Sequence, residues 1–144
     1  MNIKRTLKFI IQRIVRGWTD EDTWSMDWTI SKYILPRLKR FKKINNGYPN
    51  EFKSIKEWNG VIDDMIFSFN AIANQIETPM DDCLVINFDK DYEKDEKGNT
   101  IIRFNPNKEQ KIALKKYKKE SKILNDKIQK GLDLFGKYFR ALWW

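Results

Sequence analysis

Apolar residues at helical spacing constrain this fold more than any other feature of the sequence. In four segments they recur every three or four positions, which places them on one face of an α-helix. The clearest stripe comprises Trp58, Ile62, Met65, Phe69, Ile72 and Ile76. The pattern predicts a mainly α protein, a compact bundle of three to four helices.

Individual residues mark the ends of the first two predicted helices. Gly17 is a natural stop for a helix over residues 2–16, because glycine readily adopts the left-handed conformation at a helix end. Thr19 then reads as the N-cap of a second helix, from about Asp20 to Lys43, with acids in its first turn. Pro36 cannot donate a backbone hydrogen bond, so we expect a kink or a break there.

The remaining helices follow the same logic. Ser54 and Glu57 have the spacing of a capping box, which opens a third helix over about 55–76. A long amphipathic pattern predicts a last helix that runs from Asn107 to about Leu142.

The segment between the last two helices is different in kind. Cys83–Phe88 and Thr100–Phe104 are rich in β-prone residues and flank a charged stretch that closes on Gly98. We therefore expect a small β-hairpin inserted at 83–104. No repeat or low-complexity linker marks a second domain, so a single domain over 1–144 is predicted.

The residue types exclude several kinds of chemistry. Histidine is absent and Cys83 is the only cysteine, which excludes an intrachain disulfide, a His/Cys zinc site and any Ser-His or Cys-His nucleophile pair. No glycine-rich phosphate loop or hydrolase motif is present. We therefore predict a protein that is not an enzyme and holds neither cofactor nor metal.

The net charge of +8 alternates along the chain. Segments 1–17, 36–56 and 107–144 are basic, whereas 18–35 and 57–82 are acidic. Either acidic and basic helices lie beside one another, or the protein has a basic face that binds an anionic partner. The aromatic residues lie mostly on apolar stripes, so nucleic-acid binding is possible but not favoured.

No apolar run approaches the roughly 20 residues needed to span a bilayer. The N-terminal segment mixes bases with its apolar residues and lacks the uninterrupted core of a signal peptide. We therefore expect a cytoplasmic protein without membrane contacts.

The start of the second helix is the first candidate site. Asp27 lies one turn from Trp24 on the predicted apolar stripe, and Trp28 is beside it. A carboxylate on a buried stripe needs a partner, and Arg37 is one choice. Asp27 belongs either to a buried ion pair that fixes helix docking or to a polar pocket bounded by the two tryptophans.

The aromatic C-terminus is the second candidate site. Termini normally fray, so its aromatic residues are either locked into the core or present stacking surfaces to a ligand or partner. Lys137, Tyr138 and Arg140 supply cations and a ring there.

Several short patterns together resemble a family of small, largely uncharacterised tailed-bacteriophage proteins. The resemblance does not extend over residues 80–115. The residues that carry it are Gly17-Trp18, Asp22, Trp24-Ser-Met-Asp27, Ile34-Leu-Pro36-Arg37-Leu38-Lys39, Gly47-Tyr48-Pro49, Glu57-Trp58, Met65-Ile66, Leu132-Asp133-Leu134-Phe135, Lys137-Tyr138-Phe139 and Leu142-Trp143.

The resemblance implies a phage accessory protein made in the cytoplasm of a host bacterium. Such a protein can counter host defence by sequestering a nucleotide-derived signal, which needs stacking surfaces, cations and a carboxylate. The expected ligand-binding residues are Trp24, Asp27, Trp28, Arg37, Lys137, Tyr138 and Arg140. The alternatives are a module that binds a host protein or aids phage assembly, and an electrostatic nucleic-acid binder. The long last helix also allows for a homodimer.

Overall fold

Four α-helices make up most of the described chain. The computed structural model describes residues 3–80, 84, 92–94, 96–102 and 106–143. The helices are α1 (Ile3–Arg16), α2 (Met26–Ile44), α3 (Ile55–Ala73) and α4 (Lys108–Tyr138). The prediction of a mainly α fold is confirmed.

A short paired segment precedes α4, but it is not the hairpin that the sequence predicted. Strands β1 (Tyr92–Lys94) and β2 (Thr100–Ile102) pair antiparallel, with Tyr92 opposite Ile102. The expected first strand, Cys83–Phe88, lies outside the described residues except for Leu84. The first strand therefore lies inside the charged stretch and the second lies within the predicted segment Thr100–Phe104, and a hairpin formed by Cys83–Phe88 is not supported.

The chain divides into two compact units. The first comprises Met1–Ile76 and Lys127–Trp144, and the second comprises Glu77–Asp126. The second unit contains the start of α4, where Asn107 and Gln110 form a reciprocal cap: each side-chain oxygen accepts from the other residue's backbone N–H at 2.9 Å. One domain over 1–144 stays a prediction.

The core of the first unit lies between α2, α3 and the part of α4 from Lys127 onward. The α3 stripe supplies most of it, because four of its six predicted apolar residues are buried. The buried core residues are Leu38, Phe41, Trp58, Ile62, Met65, Phe69 and Tyr138. Helical periodicity alone located this core.

Helices α3 and α4 make close contact at Gly131. A Cβ atom at this position would overlap the Ser68 hydroxyl and the Asp64 carbonyl. The buried Ser68 hydroxyl donates to the Ile128 carbonyl of α4 at 2.7 Å. Nearby, the Lys130 ammonium contacts the Asp64 carboxylate at 2.6 Å. Small side chains thus let the two backbones approach closely.

Helix α2 differs from the prediction in two respects: it begins later than expected, and Pro36 does not interrupt it. Asp20–Thr23, three of whose four residues are acids, form a separate 3-10 helix, called the acidic turn below, and α2 begins at Met26. Pro36 lies inside α2 and does not break it. Ser31 and Leu38, on either side of Pro36, are buried, so packing offsets the one backbone bond that proline removes.

Two predicted helix boundaries are confirmed in detail. Gly17 has a φ of 79° and its N–H donates to the Arg13 carbonyl at 3.0 Å, which ends α1. Ser54 caps α3 by accepting from the Glu57 N–H at 3.3 Å. The Glu57 carboxylate accepts from the Lys53 N–H at 2.9 Å rather than from the N-cap itself, so the capping box is shifted by one residue.

The Ser54 cap gives a prediction with a matched control. Ser54→Ala should lower the free energy of unfolding by about 1 kcal/mol, because the Glu57 N–H loses its acceptor. Ser25 is the N-cap residue of α2 but makes no side-chain capping bond, so Ser25→Ala should change stability by less than about 0.5 kcal/mol. Urea unfolding followed by tryptophan fluorescence measures both, and equal effects would contradict the assigned cap.

Candidate functional site

The cluster predicted at the start of α2 is exposed rather than buried. Trp24 is 89% exposed and Trp28 is 36% exposed, and Asp27 is also exposed. The expectation of a buried Asp27 is wrong. The apolar stripe of α2 is buried only from Ser31 onward, so the Asp27 carboxylate stays hydrated and needs no partner.

The tryptophans and Arg37 do not converge on one pocket. The Arg37 guanidinium lies 3.4 Å from the Tyr33 ring centroid, and it donates to the Tyr33 carbonyl at 2.7 Å. The Lys32 ammonium lies 3.5 Å from the Trp28 ring centroid. Arg37 and one face of the Trp28 ring are therefore already in contact with other residues of α2.

The other three predicted residues line a cleft. Lys137 and Tyr138, at the end of α4, and Arg140, in the 3-10 helix Phe139–Ala141 that follows, lie across from the loop 45–51, which connects α2 to α3. Trp58 and Trp143 also line this space, whose volume is about 810 Å³. We call it the C-terminal cleft.

The floor of the C-terminal cleft is a rigid aromatic cluster. Trp58 and Tyr138 are 1% and 8% exposed, and their ring centroids are 5.4 Å apart in an edge-to-face arrangement. Phe52 packs against both rings, at centroid distances of 5.2 and 5.3 Å. Because α3 supplies Trp58 and α4 supplies Tyr138, the helix packing itself fixes this floor.

The rim of the cleft combines cations with an exposed ring. The Lys137 ammonium lies 4.7 Å from the Tyr138 ring centroid. A hydrogen-bond interaction with the Tyr138 hydroxyl, and more weakly the charge of Glu51, raise the pKa of Lys137 above its ordinary value, so Lys137 is cationic at neutral pH. Arg140 is exposed beside it, and Trp143 is 75% exposed.

The opposite wall is a loop held by its own hydrogen bonds. The Asn45 side chain donates to the Gly47 carbonyl at 2.8 Å and accepts from the Gly47 N–H at 3.1 Å. The Phe52 N–H donates to the Pro49 carbonyl at 3.0 Å. The loop therefore presents Asn46 and Asn50 from a defined backbone.

The groups that line the cleft are of kinds that bind ligands. The cleft offers two cations, amide groups, one carboxylate and aromatic surface, which together match an anion that carries a planar group. In the described part of the chain, no group of three or more Asp, Glu or Cys residues could hold a metal ion. No helix among the described residues is long and apolar enough to cross a membrane.

The predicted site residues thus fall in three places, with Arg37 in the middle of α2 and the others at its start or in the cleft. The exposed tryptophans lie at the start of α2 and the cleft lies at its other end, and the 19 residues of α2 extend about 28 Å. The sequence analysis missed the loop 45–51 as a wall of the site. The run Asn45-Asn46-Gly47-Tyr48-Pro49-Asn50 was a usable signal, because amides and a tyrosine are ligand-binding residue types as well as turn formers.

No protein-family model, no curated protein and no solved structure matches this chain. The resemblance to small phage proteins stays a prediction.

Proposed function

We propose that this protein is a non-enzymatic binding protein whose C-terminal cleft takes a small, anionic, nucleotide-like ligand. The observation that supports this most is the juxtaposition of Lys137, Arg140 and exposed Trp143 at the rim of a cleft of about 810 Å³. That volume is in the range of roughly 300–1,000 Å³ that is typical of small-molecule sites.

Each wall of the cleft matches one part of such a ligand. Arg140 and Lys137 suit a phosphate, because charge-assisted hydrogen bonds are the strongest polar contacts that these side chains make. Trp143 offers an open ring face for a base. Asn46, Asn50 and Glu51 supply donors and acceptors for base edges and ribose hydroxyls.

The biological role that we propose is sequestration of a nucleotide-derived immune signal in the cytoplasm of a host bacterium. This part rests on the resemblance to phage accessory proteins, together with a cleft that contains no cysteine or histidine nucleophile. A module that binds a host protein and an electrostatic nucleic-acid binder remain the alternatives.

The cleft makes a quantitative prediction about its arginine. Arg140→Ala should weaken nucleotide binding by about 10- to 100-fold, because a hydrogen bond to a charged group contributes about 1.5–3 kcal/mol. Isothermal titration against a panel of cyclic mononucleotides, cyclic dinucleotides and cyclic ADP-ribose isomers measures this. Arg37→Ala is the matched control and should leave affinity unchanged, since Arg37 contacts Tyr33 instead.

Tryptophan fluorescence provides a second test of ligand binding in the cleft. A base stacked on Trp143 should quench its fluorescence, so Trp143→Ala should remove most of the quenching that ligand causes, leaving only that of Trp58 in the floor of the cleft. Trp24→Ala, which removes another largely exposed ring just before α2, should preserve it. If no member of the panel binds at near-millimolar concentration, the proposal is wrong. Binding to RNA or DNA that falls steeply with salt would favour the nucleic-acid alternative.

A further inference from the structure

Helix α1 turns its apolar face outward. Six apolar side chains on this face are each more than half exposed, and the structure describes no buried residue in α1. The six are Ile3, Leu7, Ile10, Ile11, Ile14 and Val15, at 81%, 56%, 51%, 53%, 79% and 79%. An exposed apolar surface of this extent marks an interaction site rather than an ordinary solvated helix.

The opposite face of α1 is held by the acidic turn. Asp20 accepts from Lys8 at 2.8 Å and from Gln12 at 2.7 Å, and it also pairs with Arg16. The Asp20 N–H in turn donates to the Gln12 side chain at 2.9 Å. These bonds fix the rotation of α1 about its own axis, so the apolar face cannot turn inward without breaking them.

Two more residues of the acidic turn, Glu21 and Asp22, also form ion pairs with α1. The Arg13 guanidinium contacts both Asp22 oxygens at 2.9 and 3.1 Å, and Arg5 lies 3.5 Å from Glu21. Lys8, Gln12 and Arg16 hold the pKa of Asp20 well below its usual range, and the Thr19 N–H lowers the pKa of Asp22. Both carboxylates are therefore charged at neutral pH.

The outward residues have the spacing of a helix–helix seam. Ile3, Leu7, Ile10 and Ile14 are separated by four, three and four positions, which is the alternation of a coiled-coil interface. Ile11 and Val15 widen the stripe on one side. A seam of this kind interlocks with another helix, whereas a lipid surface requires no such register.

Exposed area and charge both fit a second copy. The exposed fractions of the six residues correspond to on the order of 700 Å², close to the roughly 800 Å² that each partner contributes to a standard interface. Alone, α1 carries five bases and no acid, and two such helices would repel one another. The three acids Asp20–Asp22 compensate most of that charge, and they do so from the side away from the apolar face.

We propose that the outward face of α1 is the interface with a second copy of this chain in a symmetric dimer. The interface goes beyond the proposed ligand-binding function, because it uses none of the cleft residues. In a two-fold dimer the α1 stripe of one copy packs against the α1 stripe of the other. Each substitution in the stripe therefore changes the interface at two positions.

Sedimentation of the full-length protein tests the interface. The wild type should have twice the 17.4 kDa mass of one chain. Leu7→Glu should raise the dimer dissociation constant on the order of 100-fold, because it places a charge at the centre of the seam on both copies. Its unfolding midpoint, extrapolated to dilute protein, should match that of the wild type, since Leu7 is not part of the core. The control Ile123→Glu changes an equally exposed apolar residue of α4 and should stay dimeric.

A second variant tests the charge argument separately. Asp20→Asn combined with Asp22→Asn should weaken the dimer at low ionic strength, and added salt should restore it by screening the freed bases. A monomeric wild type at about 100 µM, or a Leu7→Glu protein with unchanged mass, would overturn the proposal. So would a monomer that co-sediments with phosphatidylserine vesicles, because lipid would then be the partner of this face.

Discussion

Replacing Gly131 by alanine is expected to destabilise the first unit by about 1–3 kcal/mol, although alanine normally strengthens a helix. The new Cβ would overlap the Ser68 hydroxyl and the Asp64 backbone carbonyl, and overpacking of this kind costs about 1–3 kcal/mol. Moving α3 away would also weaken the hydrogen bond from Ser68 to the Ile128 carbonyl, worth about 1 kcal/mol. The helix-propensity difference of about 1 kcal/mol offsets only part of this.

Gly136 provides the matched control in the same helix. No atom lies within 4 Å of a Cβ placed there, so Gly136→Ala should stabilise the protein by about 0.5–1 kcal/mol. Guanidinium unfolding followed by tryptophan fluorescence measures both variants, and all six tryptophans belong to the first unit. A Gly131→Ala protein as stable as the wild type would show that α3 and α4 do not approach so closely.

Trp58→Ala should cost about 3–5 kcal/mol of folding free energy, which is typical of a large aromatic residue removed from a core. Trp58 is 1% exposed and contacts Phe52 and Tyr138, so its removal leaves a cavity that those rings cannot readily fill. Because Trp58 is also the floor of the C-terminal cleft, any folded fraction should bind nucleotide more weakly than the wild type.

Trp24→Ala is the counterpart of Trp58→Ala at an exposed position. It should change the free energy of unfolding by less than about 0.5 kcal/mol, since the side chain is 89% exposed. Thermal and chemical unfolding of both variants compare a buried with an exposed tryptophan in one chain. Similar losses of stability would mean that Trp24 is covered in solution.

The two halves of the predicted site had different outcomes for a physical reason. Lys137, Tyr138 and Arg140 line one cleft. They are close together in the sequence, so they are also close in space whatever the rest of the fold is. Asp27 and Trp28 lie in the first turn of α2 and Trp24 lies just before it, but nearness in sequence does not say whether another element covers these residues. The inference of a buried carboxylate at Asp27 assumed that cover.

The periodicity of α3 and α1 illustrates the same distinction. Both helices have a clear apolar stripe, yet the α3 stripe is the centre of the core and the α1 stripe is exposed. Sequence analysis interpreted the two patterns alike. The difference comes from the acidic turn, which binds the polar face of α1 and thereby directs its apolar face away from the rest of the first unit.

The sequence by itself determined the elements of this protein: four helices, the stop at Gly17, the cap at Ser54 and the composition of the core. These follow from local rules that act over one or two helical turns, namely periodicity, capping and backbone preference. Tertiary structure alone decided which stripe is covered, that Gly131 is the contact point of two helices, and that the loop 45–51 faces the end of α4. Those outcomes depend on contacts between residues far apart in the chain, which no local pattern encodes.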